Sequence, residues 1–488
     1  MHDDETTDGP TRSNRIKLAS ALLALGLVAA ACGSDDDGSV AAAQATDDDS
    51  AETDAMEEDD AMEEDDAMEE DEDGDAMEDD AMEDDDAMDE DAMAEGETLT
   101  VTIENVAQFP VSDSGVFAVP AGGTEPGPAL PGDAYEFSVY AVPGQRLSFA
   151  TMLVQSNDWF FAPANGGLEL FDADGNPRSG DVTAELATYD AGTEADAPLG
   201  EGPDQAPRQA GPDTGADDPD PTIRRVDLDP SEYVAVTVTP VDDGRFDVRI
   251  DNTSSMAIPA SPLAPGVYAV HGDDWRLFET GQPDDGNGLE GVAEDGTAGP
   301  LGEYLATLTG TSTPVAPGVW VTHDDSVALF ELGGTDAGLG LEALAEDGDP
   351  AALDGALDGL DGVDHVGVFN TPTGADEPGP VLPGGSYTFT VPVSGDRFSL
   401  ATMFVQSNDW IFATPVDGLA LADLDGDITD QLLVVDPGTE IDERPGFGPN
   451  QAPRQSGPDV GADDPDDTVR LVEGRSAERY VRVTVERN

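Results

Sequence analysis

The hexapeptide VQSNDW at Val154–Trp159 recurs letter for letter at Val405–Trp410. It sits inside a much longer match. EPGPALPGDAYEFSVYAVPGQRLSFATMLVQSNDWFF from Glu125 aligns with EPGPVLPGGSYTFTVPVSGDRFSLATMFVQSNDWIF from Glu377, and GPDQAPRQAGPDTGADDPDPTIRRV from Gly202 aligns with GPNQAPRQSGPDVGADDPDDTVRLV from Gly448. Likeness of this length is a domain duplication, so any fold that suits one copy must suit the other. Between the copies lies a second repeat, in which PLAPGVYAVHGDDWRLFETG from Pro262 is echoed by PVAPGVWVTHDDSVALFELG from Pro314, each leading into an Ala-Glu-Asp-Gly sequence.

Within the copies apolar residues alternate with polar ones. TLTVTIENV, YEFSVYAV, RLSFATMLV, YVAVTVTP and RFDVRID all show it, separated by Pro, Gly and Asp turns. A period of two marks half-buried strands, and the turn spacing predicts a mainly β protein of tandem antiparallel β-sandwiches. Short helices are expected only in the second repeat, stopped at Gly296 and Gly348 and restarting at Pro300 and Pro350, with Asp349 as N-cap. Leu353, Leu357 and Leu360 would form the apolar face of the last one. The expected domains are residues 98–243, an abbreviated copy, and 244–488, a copy with a duplicated N-terminal element (262–313 and 314–360). Whether the first copy borrows residues 262–313 in space stays open at this level.

The N-terminal part reads differently. Arg12, Arg15 and Lys17 precede the apolar run LASALLALGLVAAA, which ends at Cys32, the only cysteine among 488 residues. A charged region, a short hydrophobic core and small residues make a secretory leader, residues 1–32, too short for a typical membrane span. Val28-Ala29-Ala30-Ala31-Cys32 resembles a bacterial lipoprotein lipobox, which implies lipidation of Cys32, a membrane anchor and an extracytoplasmic address. Residues 33–97 carry repeated Asp-Ala-Met units such as DAMEEDDAMEEDDAMEE. Carboxylates that dense predict a disordered stalk. With 19 basic against 107 acidic residues the formal charge is −88, which argues against nucleic acid as a partner and favours cations or basic surfaces.

Further motifs suggest a family. VTH with His323, LFELG at Leu329, LAEDG at Leu344, SNDW at Ser407 and DPGTE at Asp436, with SNDW at Ser156 and DAGTE at Asp190 in the first copy, together resemble the spondin N-terminal domain. The resemblance spans residues 98–488. It implies a C2-like sandwich with calcium held by acidic loop residues: Asp158, Asp190 and Glu194 in the first copy, Asp409, Asp436 and Glu440 in the second. Calcium takes six to eight oxygens, and a turn at Pro437-Gly438 would fold Glu440 back toward Asp436. The plainer reading is that roughly one residue in five is acidic anyway, and a duplication copies accidents as well as sites.

Other residues point to structure. Trp159 and Trp410 read as core or rim aromatics, Arg208 and Arg454 as salt-bridged loop anchors, and His271 and His323 lack the partners of a zinc site. No nucleophile elbow, HExxH or phosphate loop is present, so no enzyme is expected. The expected function is a surface-anchored adhesion or binding lipoprotein holding an extracellular protein or polysaccharide. The alternative is a structural, envelope-organising lipoprotein without a specific ligand.

Overall fold

The computed structural model describes residues 97–242 and 244–488. The expected leader, the lipidated Cys32 and the acidic stalk lie outside the described residues. What is described is mainly β, arranged as two repeated sandwich-like lobes with short helices. No helix among the described residues is long and apolar enough to cross a membrane.

Each lobe has three layers. In the first, a seven-stranded antiparallel sheet runs in the order Val111–Phe117, Leu263–His271, Arg146–Leu153, Trp159–Pro163, Leu186–Asp190 and Arg224–Val226, with Leu168–Glu169 also on Arg146–Leu153. A four-stranded sheet, ordered Ala134–Tyr140, Arg245–Asn252, Val234–Pro240 and Gly180–Asp181, packs on one face. Leu147, Phe149 and Phe161 meet Tyr135, Val236 and Val248 in that core. The other face is covered by helices α1 (Leu289–Asp295) and α2 (Gly299–Leu308), where Leu289, Val292 and Leu305 meet Ala150, Phe160 and Val267. Double covering explains why the strand RLSFATML is buried at every position after its first, whereas TLTVTIEN, part of a sheet covered on one face, alternates.

The second lobe repeats this plan with α3 (Leu341–Asp347) and α4 (Ala351–Leu357). Its large sheet runs Val363–Phe369, Val315–His323, Arg397–Phe404, Ile411–Ala413, Leu433–Asp436 and Arg470–Leu471. Its small sheet runs Ser386–Pro392, Thr98–Asn105, Val481–Arg487 and Gly426–Asp427. Thr98–Asn105 thus fills in the second lobe the place that Arg245–Asn252 fills in the first. Val101 lies between Phe389 and Val485, as Val248 lies between Phe137 and Val238.

The expected boundary at 243/244 therefore needs correction, because it falls in the hairpin that joins Val234–Pro240 to Arg245–Asn252. Residues 111–308 form the first lobe, inserted between Asn105 and Val315 of the second. The order of the first is a circular permutation of the order of the second. The first copy is not abbreviated: Leu263–His271 pairs with both Val111–Phe117 and Arg146–Leu153, so each lobe holds one copy of the 262–313 type of element. Matching asparagines pin the two seams. Asn252 Nδ2 donates to Ala129 O and Ser261 O, and Asn105 Nδ2 donates to Val381 O and Thr313 O, all at 2.8–2.9 Å.

The expected helix stops are present, with Gly296 and Gly348 at φ 65° and 67° in the left-handed region. Asp349 Oδ1 accepts from Ala351 N at the start of α4, whose Leu353 and Leu357 are buried. Leu360 lies past the helix end and is exposed. Contacts between the lobes include Arg444 of the second, which donates to Asp113 of the first at 2.9 Å and lies over the Tyr140 ring, 4.1 Å from its centre, and Arg479 of the second, which donates to Thr307 O of the first.

Candidate cation site at the twin acidic loops

The repeated SNDW is a tight reversal. Ser156 Oγ donates to Leu153 O and accepts from Trp159 N, which turns the strand Arg146–Leu153 back into Trp159–Pro163 and leaves Asp158 pointing inward. Asp158 is fully buried. Its Oδ2 accepts from Thr193 N at 2.8 Å, Thr193 Oγ1 at 3.2 Å and Glu194 N at 3.1 Å, so it holds the DAGTE loop from below. Its Oδ1 has no hydrogen-bond partner. In the second lobe Asp409 Oδ2 accepts from Thr439 N, Thr439 Oγ1 and Glu440 N at 2.9, 3.2 and 3.1 Å, and Asp409 Oδ1 is likewise without a partner.

Asp190 closes the strand Leu186–Asp190, and its Oδ1 accepts from Gly192 N. Gly192 and Gly438 each have φ 73°, and a side chain there would meet the backbone of Thr222 or Thr468. Glycine is thus required at both positions by conformation and by space. Asp158, Asp190 and Asp196 each place a carboxylate oxygen within 4.8 Å of the others, as do Asp409, Asp436 and Asp442.

Glu194 and Glu440 turn elsewhere. Glu194 Oε2 accepts from Asn157 Nδ2 at 3.0 Å, and Glu440 Oε2 from Asn408 Nδ2 at 3.0 Å. Each carboxylate also lies against a distant loop, where a Cβ on Gly215 or Gly461 would overlap it. In this geometry they tie the DAGTE and DPGTE loops to the GADDPD segments. The third oxygen comes from Asp196 or Asp442, two residues further on. Each of these carboxylates accepts from an indole: Trp159 Nε1 to Asp196 at 2.8 Å, Trp410 Nε1 to Asp442 at 2.9 Å. The signal for these aspartates was available, since the spacing DxGTExD occurs in both copies.

Sequence reasoning also passed over Arg224 and Arg470. Arg224 Nη2 lies 2.5 Å from Asp190 and from Asp218 and 3.7 Å from Asp196. Arg470 lies 2.7, 2.9 and 3.5 Å from Asp436, Asp464 and Asp442. Three carboxylates therefore share one guanidinium in each lobe, and Asp158 or Asp409 lies beside two of them without an arginine of its own. Burial pushes the Asp158 and Asp190 carboxyls upward, each further raised by a neighbouring carboxylate, while Asp436 is pushed up to about 7 by burial and then by Asp409 and Asp442. An uncompensated buried carboxylate costs several kcal/mol in order of magnitude. A hard cation beside Asp158 Oδ1 would remove that cost, and oxygen-only donors suit calcium.

The remaining residues are satisfied locally. Arg208 donates to Gly202 O, Gln155 and Gln205, and Arg454 makes the equivalent bonds, so both anchor loops through neutral oxygens rather than salt bridges. His271 and His323 are buried between a serine and a backbone carbonyl. No family model and no curated protein matches the chain.

Proposed function

We propose that the protein is a non-catalytic, surface-anchored binding lipoprotein whose two spondin-like lobes hold an extracellular protein or polysaccharide through calcium-ordered loops. The observation that carries the calcium reading is the pair of fully buried, unpartnered oxygens, Asp158 Oδ1 and Asp409 Oδ1, each beside two further carboxylates that pair with one arginine. Calcium there would be held by Asp158, Asp190 and Asp196, and by Asp409, Asp436 and Asp442. It would stiffen the DAGTE and DPGTE loops, which Glu194 and Glu440 couple to the GADDPD segments. The adhesive reading is supported by the lipobox at Cys32, the acidic stretch after it and the presence of two equivalent lobes, since linked sites raise avidity.

The test is retention of the full-length protein on arrays of glycans and matrix proteins, in calcium and in EDTA. Retention that appears with calcium and is lost in Asp158→Asn/Asp409→Asn protein supports the proposal. A protein that binds calcium yet retains nothing across broad arrays is instead an envelope-organising lipoprotein with structural calcium.

A further inference from the structure

A second acidic group lies in each lobe, apart from the three aspartates already described. In the first lobe Asp213, Glu290 and Glu294 each offer a carboxylate oxygen within 4.8 Å of the others; in the second, Asp459, Glu342 and Glu346 do the same. Glu290 and Glu294 stand four residues apart on α1 and so share one side of the helix. Leu289, Val292 and Ala293 fill the core. The third carboxylate comes from the long loop after QAPRQ, which is fastened to the same helix by Gln209 Nε2 donating to Asp295 at 2.6 Å, and in the second lobe by Gln455 to Asp347 at 2.7 Å.

Acidity alone is common in this chain and would carry nothing. The distinguishing observation is Glu294, whose side chain belongs to the group, is 3% exposed, and leaves Oε2 without a hydrogen-bond partner. Glu346 is equally buried, at 3%. Both stand in the last turn of a short helix, where the helix dipole opposes negative charge, and both face a second glutamate one turn back. No described arginine or lysine forms an ion pair with either group. Asp213 and Asp459 are also the two described non-glycine residues with positive φ, 51° and 54°, so in both lobes the loop takes an uncommon conformation where it presents its carboxylate to the helix. Glu294 and Glu346 are thus the buried members, and the exposed Asp213, Glu342 and Asp459 lie at the rim of their groups.

We propose that each lobe has a second, separate site for a hard divalent cation of calcium's chemistry, formed by Asp213, Glu290 and Glu294 and by Asp459, Glu342 and Glu346. Water and backbone oxygens would complete the six to eight ligands. The ion would fasten the QAPRQ–GADDPD loop to the helix, so its removal frees the segment that packs on Glu194 or Glu440. Thr193, which holds Asp158, also lies beside Glu294, so the two groups are neighbours with different carboxylate ligands.

The test is calcium binding by the full-length protein in equilibrium dialysis, comparing wild type with Glu290→Gln/Glu342→Gln and with Asp158→Asn/Asp409→Asn. All three share the same acidic N-terminal stretch, so its uptake cancels in the differences. The expected result is that the glutamine variant binds one ion fewer per lobe and shows faster hydrogen exchange in residues 209–217, while the asparagine variant keeps those ions. Loss in the glutamine variant alone keeps this proposal and removes calcium from the Asp158 site. Unchanged uptake and exchange in the glutamine variant overturns the proposal. Should that variant misfold by near-ultraviolet circular dichroism, Asp213→Asn/Asp459→Asn replaces it: Asn tolerates positive φ, both positions are exposed, and an undiminished calcium count again overturns the site.

Discussion

Replacing Asp158 and Asp409 by asparagine should have opposite effects on stability with and without calcium. In the calcium-free protein each aspartate buries one oxygen with no partner beside two further carboxylates. Asparagine retains an oxygen for Thr193 N and Glu194 N, or Thr439 N and Glu440 N, and substitutes a neutral amide for the unpartnered oxygen. Removing an unsatisfied buried charge should stabilise each lobe by about 2 kcal/mol, within the ~1–3 kcal/mol such groups cost. For a lobe of roughly 200 residues, about 2–4 °C per kcal/mol gives a rise in Tm of roughly 4–8 °C in EDTA. Calcium at a hundredfold its Kd stabilises the wild type by about 2.7 kcal/mol per site, which the variant forfeits, so the order of the two melting temperatures inverts. Scanning calorimetry above pH 8 with EDTA and then with calcium reads both effects. A variant that is less stable by the same amount in both buffers would refute the reasoning, leaving Asp158 as a hydrogen-bonded loop anchor and nothing more.

Three further outcomes are expected. Burial and neighbouring carboxylates hold Asp436 up to about 7 and Glu346 up to about 8, against ordinary values of 3.8 and 4.5. The folded state thus keeps protons that the unfolded chain has released, so stability of the calcium-free protein should fall as pH rises from about 4 to about 8. Calcium must displace those protons, so its Tm shift should grow across the same window; a calcium shift that is flat from pH 5 to 8 contradicts this. Arg224→Gln should cost toward the lower end of about 3–5 kcal/mol in EDTA, because the guanidinium that holds Asp190 is 32% exposed, with calcium recovering most of the loss in a thermal scan. Deleting residues 98–105 should abolish hydrogen-exchange protection in Ser386–Pro392 and Val481–Arg487 while sparing Ala134–Tyr140 and Val234–Asn252, since that strand belongs to the second lobe's small sheet; uniform loss would argue against the inserted-lobe arrangement.

The duplication, the strand period and the glycine-stopped helices were legible in one dimension because they depend on local pattern. Strand partnership was not. TLTVTIEN and RFDVRIDN share apolar positions and a closing asparagine, which fixes the buried face of each strand but not the sheet it joins, and the pairing of Leu99 with Arg487 spans nearly the whole described chain. The site divides along the same line. Asp158 and Asp190 were readable because a turn and a strand end place them, whereas the direction of Glu194 depends on Gly215, a residue in another loop. Glu294 looks in sequence like an ordinary helix end. Only the loop that returns over α1 with Asp213 makes its burial meaningful.

The most direct measurement is anomalous diffraction from crystals of the protein grown with calcium, or with a lanthanide in its place. The account predicts density at about 2.3–2.6 Å from Asp158 Oδ1 and from Asp409 Oδ1. Refined maps with those two oxygens facing only water or the arginine would contradict it.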